Sequence, residues 1–324
     1  MSFDGFDPKF SNFPDYILKI TEEIWEGRGF STLDYYYAED LPVRSPSGIV
    51  IGKDAVKVAT AQMLVENPDR VLLGEDIIWS RSDDGHYLSS HRIVSTATQT
   101  QFGPMGHAAG KKLVYRSIAD CAARADVIDD EWLVRDYGGI LLQLGHEPRE
   151  FVAAQIEAEG GPGNAKRPFS PAMDVKGPYK GRGNDNEYGQ ALADILNAMM
   201  NAEMSVIATR YDRAAHLEYA GNVTAHGHAG ADAFWLPLRA AFPNATFTIH
   251  HQIGRDDPMM PPRAAIRWSL DGLHEGWGPF GAPTGAHVHV MGITHAEFGP
   301  YGLRREWTIY DQAAVWRHIL LHQG

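Results

Sequence analysis

The chain has 324 residues, 44% hydrophobic and 22% charged, the make-up of an ordinary globular protein long enough for two cores. A formal charge of −12 leaves no surplus of Lys and Arg to neutralise phosphate, so neither nucleic acid nor anionic membrane is an expected partner. One cysteine, Cys121, excludes an intramolecular disulfide, fits a reducing compartment and, within an apolar strand-like run, reads as packing.

Met1 to Pro14 has no basic segment leading into an apolar one, so no signal peptide is expected. No apolar run approaches membrane-spanning length, and a cytoplasmic location follows as the expectation. Residues 1–13 read as an arm carrying Phe3, Phe6, Phe10 and Phe13. Pro14 suits the first turn of an amphipathic helix with Ile17, Ile20, Ile24 and Trp25 near helical spacing. A short helix around Ser31–Tyr37 brings Tyr35, Tyr36 and Tyr37. Another starts at Gly52-Lys53-Asp54-Ala55 and runs to about Leu64. Strand-like segments follow at hairpin spacing: Val71–Trp79, Tyr87–Thr100, Leu113–Ala123 and Glu131–Asp136. Helices first and then a sheet predict an α+β domain over 14–150. A Gly- and Pro-rich stretch, 151–187, reads as a linker to a second domain, 188–324.

The second half repeats the order. Glu131-Trp132-Leu133-Val134-Arg135-Asp136 returns as Glu306-Trp307-Thr308-Ile309-Tyr310-Asp311, 175 positions later. At the same offset Ile195 answers Ile20, Arg267 answers Arg92, and Gly278-Pro279-Phe280-Gly281 answers Gly103-Pro104-Met105-Gly106. Gly230-Ala231-Asp232-Ala233 echoes Gly52-Lys53-Asp54-Ala55 at a slightly larger offset. Several independent matches at one spacing predict the internal duplication of a whole domain. On a strand, Trp307, Ile309 and Asp311 share a face, as do Trp132, Val134 and Asp136. A carboxylate beside an indole and an aliphatic group is partly desolvated, which raises its pKa towards the range useful for proton transfer. A lone Asp would otherwise be a helix cap or a surface charge.

Gly230–Trp235, Ala241–Phe247, Arg263–Trp268, Pro283-Thr284-Gly285, Gly292–His295, Glu306-Trp307 and Asp311 together resemble the SnoaL-like polyketide cyclases of the NTF2-like superfamily. The resemblance covers nearly all of the second half and, more loosely, the first. It implies two tandem cystatin-like cones, each a curved, mostly antiparallel sheet wrapped around helices. Domains of this kind commonly pair through their sheets, so the duplication implies an intrachain pseudo-dimer, and the same pairing allows a homo-oligomer. A cofactor-free mechanism is also implied, in which an Asp on the last strands is the acid/base of an intramolecular aldol closure. Asp311 matches that Asp by motif, and Asp136 matches it in the first copy.

His295 precedes Asp311 by about one hairpin, and Asp120 stands in register with His295 in the first copy. Asp311, His295, Asp136 and Asp120 are therefore the expected catalytic residues, with the second cone favoured as the more active. His91, Tyr35, Tyr115, Tyr211, His216, Trp235, Trp268, His287, His289, Trp307 and Trp132 are the expected lining of the substrate pockets, for a hydrophobic carbonyl- or hydroxyl-bearing small molecule. Of 15 histidines, 11 follow residue 215, and His226-x-His228 and His287-x-His289 share strand faces. No His-Glu-x-x-His spacing accompanies them, so neither metal nor cofactor is expected. The alternatives are a non-catalytic binding module and a His-rich, metal-assisted hydrolase or lyase.

Overall fold

Asn12 accepts from Asp15 N and starts α1 (Phe13–Thr21), with Pro14 in its first turn. The computed structural model describes residues 5–324, so Phe3 of the expected arm lies outside the described residues. Phe6, Phe10 and Phe13 are buried against Tyr16 and form part of the first core. The chain continues through α2 (Leu33–Tyr36), β1 (Pro42–Ser45), β2 (Gly48–Ile51) and α3 (Lys53–Glu66). Four long strands follow: β3 (Val71–Arg81), β4 (Tyr87–Thr98), β5 (Lys112–Arg124) and β6 (Val127–Arg135). Two helices, α4 (Tyr137–Leu144), which was not foreseen, and α5 (Pro148–Ala158), where the sequence allows a helix from about Glu147 to Glu159, close the first half.

The second half brings α6 (Glu187–Met200), α7 (Ser205–Arg210), β7 (Tyr211–Tyr219), β8 (Val223–His226) and α8 (Gly227–Ala241). Then come β9 (Thr246–Arg255), β10 (Arg263–Leu273), β11 (His287–Gly299), β12 (Gly302–Tyr310) and α9 (Gln312–Gln323). Each half is one six-stranded sheet, ordered β2-β1-β6-β5-β4-β3 and β8-β7-β12-β11-β10-β9. In each, only the contact between the first and last strands in sequence, β1–β6 and β7–β12, is parallel. Register shifts that leave an extra residue in β3, β6, β9 and β12 mark bulges, which curve a sheet. The result is two tandem NTF2-like cones of α+β type. The registers superpose at the 175-residue offset: Ile93 faces Ser117 as Trp268 faces Gly292. Among the described residues no helix is long and apolar enough to cross a membrane.

The two sheets lie back to back. Ile118 and Val134 meet Met291, Ile293 and Ile309 across this seam. The Arg92 guanidinium sits 3.5 Å over the Trp307 ring, and Arg267 sits 4.0 Å over Trp132. These two contacts are mates under the internal two-fold, as in an isologous dimer interface. The segment between α5 and α6 is packed against this assembly. Phe169 packs on Trp132, Tyr179 is buried against His251, and Arg44 pairs with both Asp130 and Asp174.

Candidate functional site

Strand alternation decides what lines the first cone. His91, Ile93 and Ser95 of β4, Tyr115, Ser117 and Ala119 of β5, and Glu131, Leu133 and Arg135 of β6 point inward. Helices α1 and α3 face them with Ile17, Ile20, Val56 and Met63. The side chains from β5 are mostly small, so a cavity of about 540 Å³ remains, within the range of small-molecule sites.

The second cone is filled. Trp268 stands where the first has Ile93, and its ring lies where a Cβ on Gly292 would come within 2.2 Å of it. Only glycine leaves that space; the first cone carries Ser117 there. Trp268 Nε1 donates to Thr294 Oγ1 (3.0 Å), and Trp235, also fully buried, donates to Glu306 (3.1 Å). Glu306 further accepts from Tyr211, Tyr219 and Thr308 at 2.8, 2.9 and 2.6 Å. The favoured role of the second cone is thus corrected: the space for a ligand is in the first.

Three carboxyls line this cavity, of which Glu159 is paired with Arg317. Glu131, the counterpart of Glu306, accepts among the described residues only from Tyr37 Oη (2.9 Å), and burial pushes it up to about 7. Asp311 follows the last strand of the second half yet lines the cavity of the first, because α9 packs against α4, α5 and the mouth of that cone. It caps α9 through Oδ1, accepting from Ala313 N at 2.9 Å. Burial pushes it up to about 7, against the opposing pull of the helix N–H groups and of Arg135. Burial, with Arg92 next to it, drives His91 down to about 3, so its imidazole is neutral; Nε2 has no partner.

Asp136 shows the other fate of the same motif residue. It caps α4 through Gly139 N (2.9 Å) and accepts from Gly221 N and Asn222 N of the other half, both at 2.8 Å. Its expected catalytic part is corrected to a structural one: three backbone N–H groups occupy its carboxylate. The positions equivalent to Gly221 and Asn222 at the same offset are Pro46 and Ser47; Pro46 has no N–H to give, and no bond joins Ser47 N to Asp311. Asp311 is therefore left with the first turn of its own helix.

His295 and Asp120 are in the seam, not in the cones, because their strand positions point outward. Arg92 can only donate, so His295 Nδ1 accepts from it (3.3 Å) and Nε2–H donates to Ser90 Oγ (2.8 Å). Burial and Arg92 hold His295 well below its ordinary value. Asp120 accepts from Arg267 Nε (3.2 Å), with burial pushing it up to about 6. No pair forms between His295 and Asp311. Trp132 and Trp307 stack on seam arginines for the same reason of strand parity.

Of the expected lining, His91 and Tyr115 face the cavity. Tyr35 is 75% exposed. Tyr211, Trp235 and Trp268 are packed in the second core. His216 bonds Glu218 and His226 on the surface, and His287 and His289 flank Asp271 at 3.3 and 2.8 Å. Among the described residues no three or more His, Cys, Asp or Glu are placed to hold a metal. Sequence reasoning missed Glu131, Arg135, Arg70 and Tyr137, all on the cavity wall. The signal for two of them was present: Glu131 and Arg135 alternate with Trp132 and Val134 on the same strand.

Residues 190–319 match the family model of SnoaL-like polyketide cyclases. Solved structures similar to one half of the chain include IdmH from Streptomyces antibioticus, 15% identical, covering 41% of this chain and 98% of that one with a TM-score of 0.35. A SnoaL-like polyketide cyclase from Agrobacterium tumefaciens is 18% identical (41% and 97% covered, TM-score 0.31). TsrD from Streptomyces laurentii is 17% identical (40% and 95% covered, TM-score 0.34). No curated protein matches the chain. The second half of this chain thus matches the SnoaL-like polyketide cyclase model, and the first half repeats its topology strand for strand.

Proposed function

We propose that the chain is a cofactor-independent enzyme that closes a ring, or isomerises or cleaves a neighbouring bond, in a hydrophobic carbonyl-bearing small molecule held in the first cone. One observation carries this reading: Asp311, the motif aspartate left without cross-domain partners, lines a cavity of about 540 Å³ and titrates near neutrality. A carboxyl with a pKa of about 7 is present in both forms at neutral pH, so it can take a proton and return it. In a ring closure the carboxylate removes a proton from the carbon next to a carbonyl. The resulting enolate attacks a second carbonyl of the same molecule, and the protonated Asp311 gives its proton to the new alkoxide. Protons balance with no external acceptor. The apolar walls exclude water and strengthen the electrostatic contacts inside.

The first half-step can be tested without the natural substrate. With an aryl ketone such as α-tetralone in deuterated buffer, the protein is expected to speed deuterium uptake next to the carbonyl, read by mass spectrometry. Asp311→Asn is expected to lower that rate by about 10²–10⁴-fold, with circular dichroism and thermal melting unchanged. Exchange as fast as in the parent protein would remove Asp311 from the mechanism. Saturable binding without exchange in the parent would favour a carrier.

A further inference from the structure

Burying a guanidinium is costly unless a carboxylate faces it, and the chain obeys this rule almost everywhere. Among its buried arginines, Arg44 pairs with Asp130, Arg92 with Glu75, Arg263 with Asp76, and Arg267 with Asp120. Arg70 departs from it. It is buried, lines the cavity and has the Met63 thioether and the Tyr115 hydroxyl beside it, but among the described residues no carboxylate pairs with it and its Nε has no partner. Arg135 lines the same cavity, has a buried Nε without a partner, and forms no ion pair among the described residues. The two guanidiniums feel each other.

At the 175-residue offset the filled cone has Ala245 and Tyr310 in their places. Where the cavity is absent, so are both cations. We propose that the first cone is built for a hydrophobic carboxylic acid, whose carboxylate sits between Arg70 and Arg135 while its apolar body lies against Ile17, Ile20 and Ile93. This rests on the reading of that cavity as the substrate site and narrows its substrate class. The cavity wall carries Arg70, Arg135, Lys166 and Arg317 against Glu131, Glu159 and Asp311, and the one ion pair among these is Arg317 with Glu159, so cations are in surplus and an anionic ligand is favoured. A guanidinium presents paired N–H donors matched to the two oxygens of a carboxylate. A seated carboxylate would also fix which carbon lies next to Asp311.

Calorimetric titration with 2-naphthoate and its neutral analogue 2-naphthamide tests this. The parent protein is expected to bind the acid at least tenfold more tightly, as charge-assisted hydrogen bonds predict. Arg70→Gln and Arg135→Gln are each expected to remove most of that preference while leaving the amide's affinity in place, and Arg135→Lys to keep part of it. Equal affinities in the parent, binding of neither ligand at millimolar concentration, or a loss of both ligands in equal measure in folded variants would overturn the proposal. The titration needs no turnover. An absence of deuterium exchange would sink the catalytic reading and leave an acid-over-amide preference standing.

Discussion

The two halves share a strand order and a register, yet one is hollow and the other solid. The contrast comes down to a few positions: Ile93 against Trp268, Ser117 against Gly292, Arg70 against Ala245, and Arg135 against Tyr310. The shared glutamate shows its consequence. Glu306 is saturated by four donors, while Glu131 holds one tyrosine and turns to the cavity. Satisfying every buried polar atom favours stability; leaving several unsatisfied around an open space favours binding. One topology accommodates both, because the sheet fixes only where side chains point, and their volume decides what is left between them.

The contrast can be broken most sharply from the solid side. Trp268→Ala should open the second core and cost about 3–5 kcal/mol in urea unfolding, with 2-naphthoate binding unchanged. A loss under about 1 kcal/mol would mean that this core is not tightly packed. Asp136→Ala removes a helix cap and two cross-domain bonds, so a loss of about 3 kcal/mol is expected in the same assay. Deuterium exchange should persist there, in contrast to Asp311→Asn.

Glu131 is sharpened by pH. Its folded value is raised, so its protonated form favours the fold; that stability is complete below about 4.5 and is lost as pH rises through about 7. Glu131→Gln should therefore gain on the parent by about 2 kcal/mol between pH 5 and 8; parallel curves would show that Glu131 is not held near neutrality. The smallest effect belongs to Tyr35. Its ring is 75% exposed, so Tyr35→Ala should stay within about 0.5 kcal/mol and leave 2-naphthoate binding as it was.

The duplication was legible because several unlike residues recur at one spacing, and the cones were implied by the resemblance that the second half carries. Which face of each strand looks inward was not. Trp132 and Val134 share a face, as expected, but that face lies in the seam. Both faces of each sheet are buried, one by helices and one by the other sheet, so hydrophobic alternation cannot tell inside from outside. Asp136 and Asp311 are beyond the strands altogether. Asp136 has φ −73° and ψ 68°, and each begins a helix, so strand parity does not govern where its carboxylate points. That Asp311 crosses to the other half is a tertiary fact: it depends on where α9 packs, and no local spacing encodes that.

Because α9 lines the cavity of the half to which it does not belong, that cavity has a wall on loan. Were the two copies separate molecules, each would shut its neighbour's opening, and a pair would possess two chambers. Joined in one polypeptide, they need maintain only one, and the other copy is free to become ballast. Cutting the chain after Tyr310 would open that cavity and remove Asp311 from its wall, and would also take Val315 and Ile319 out of the second core.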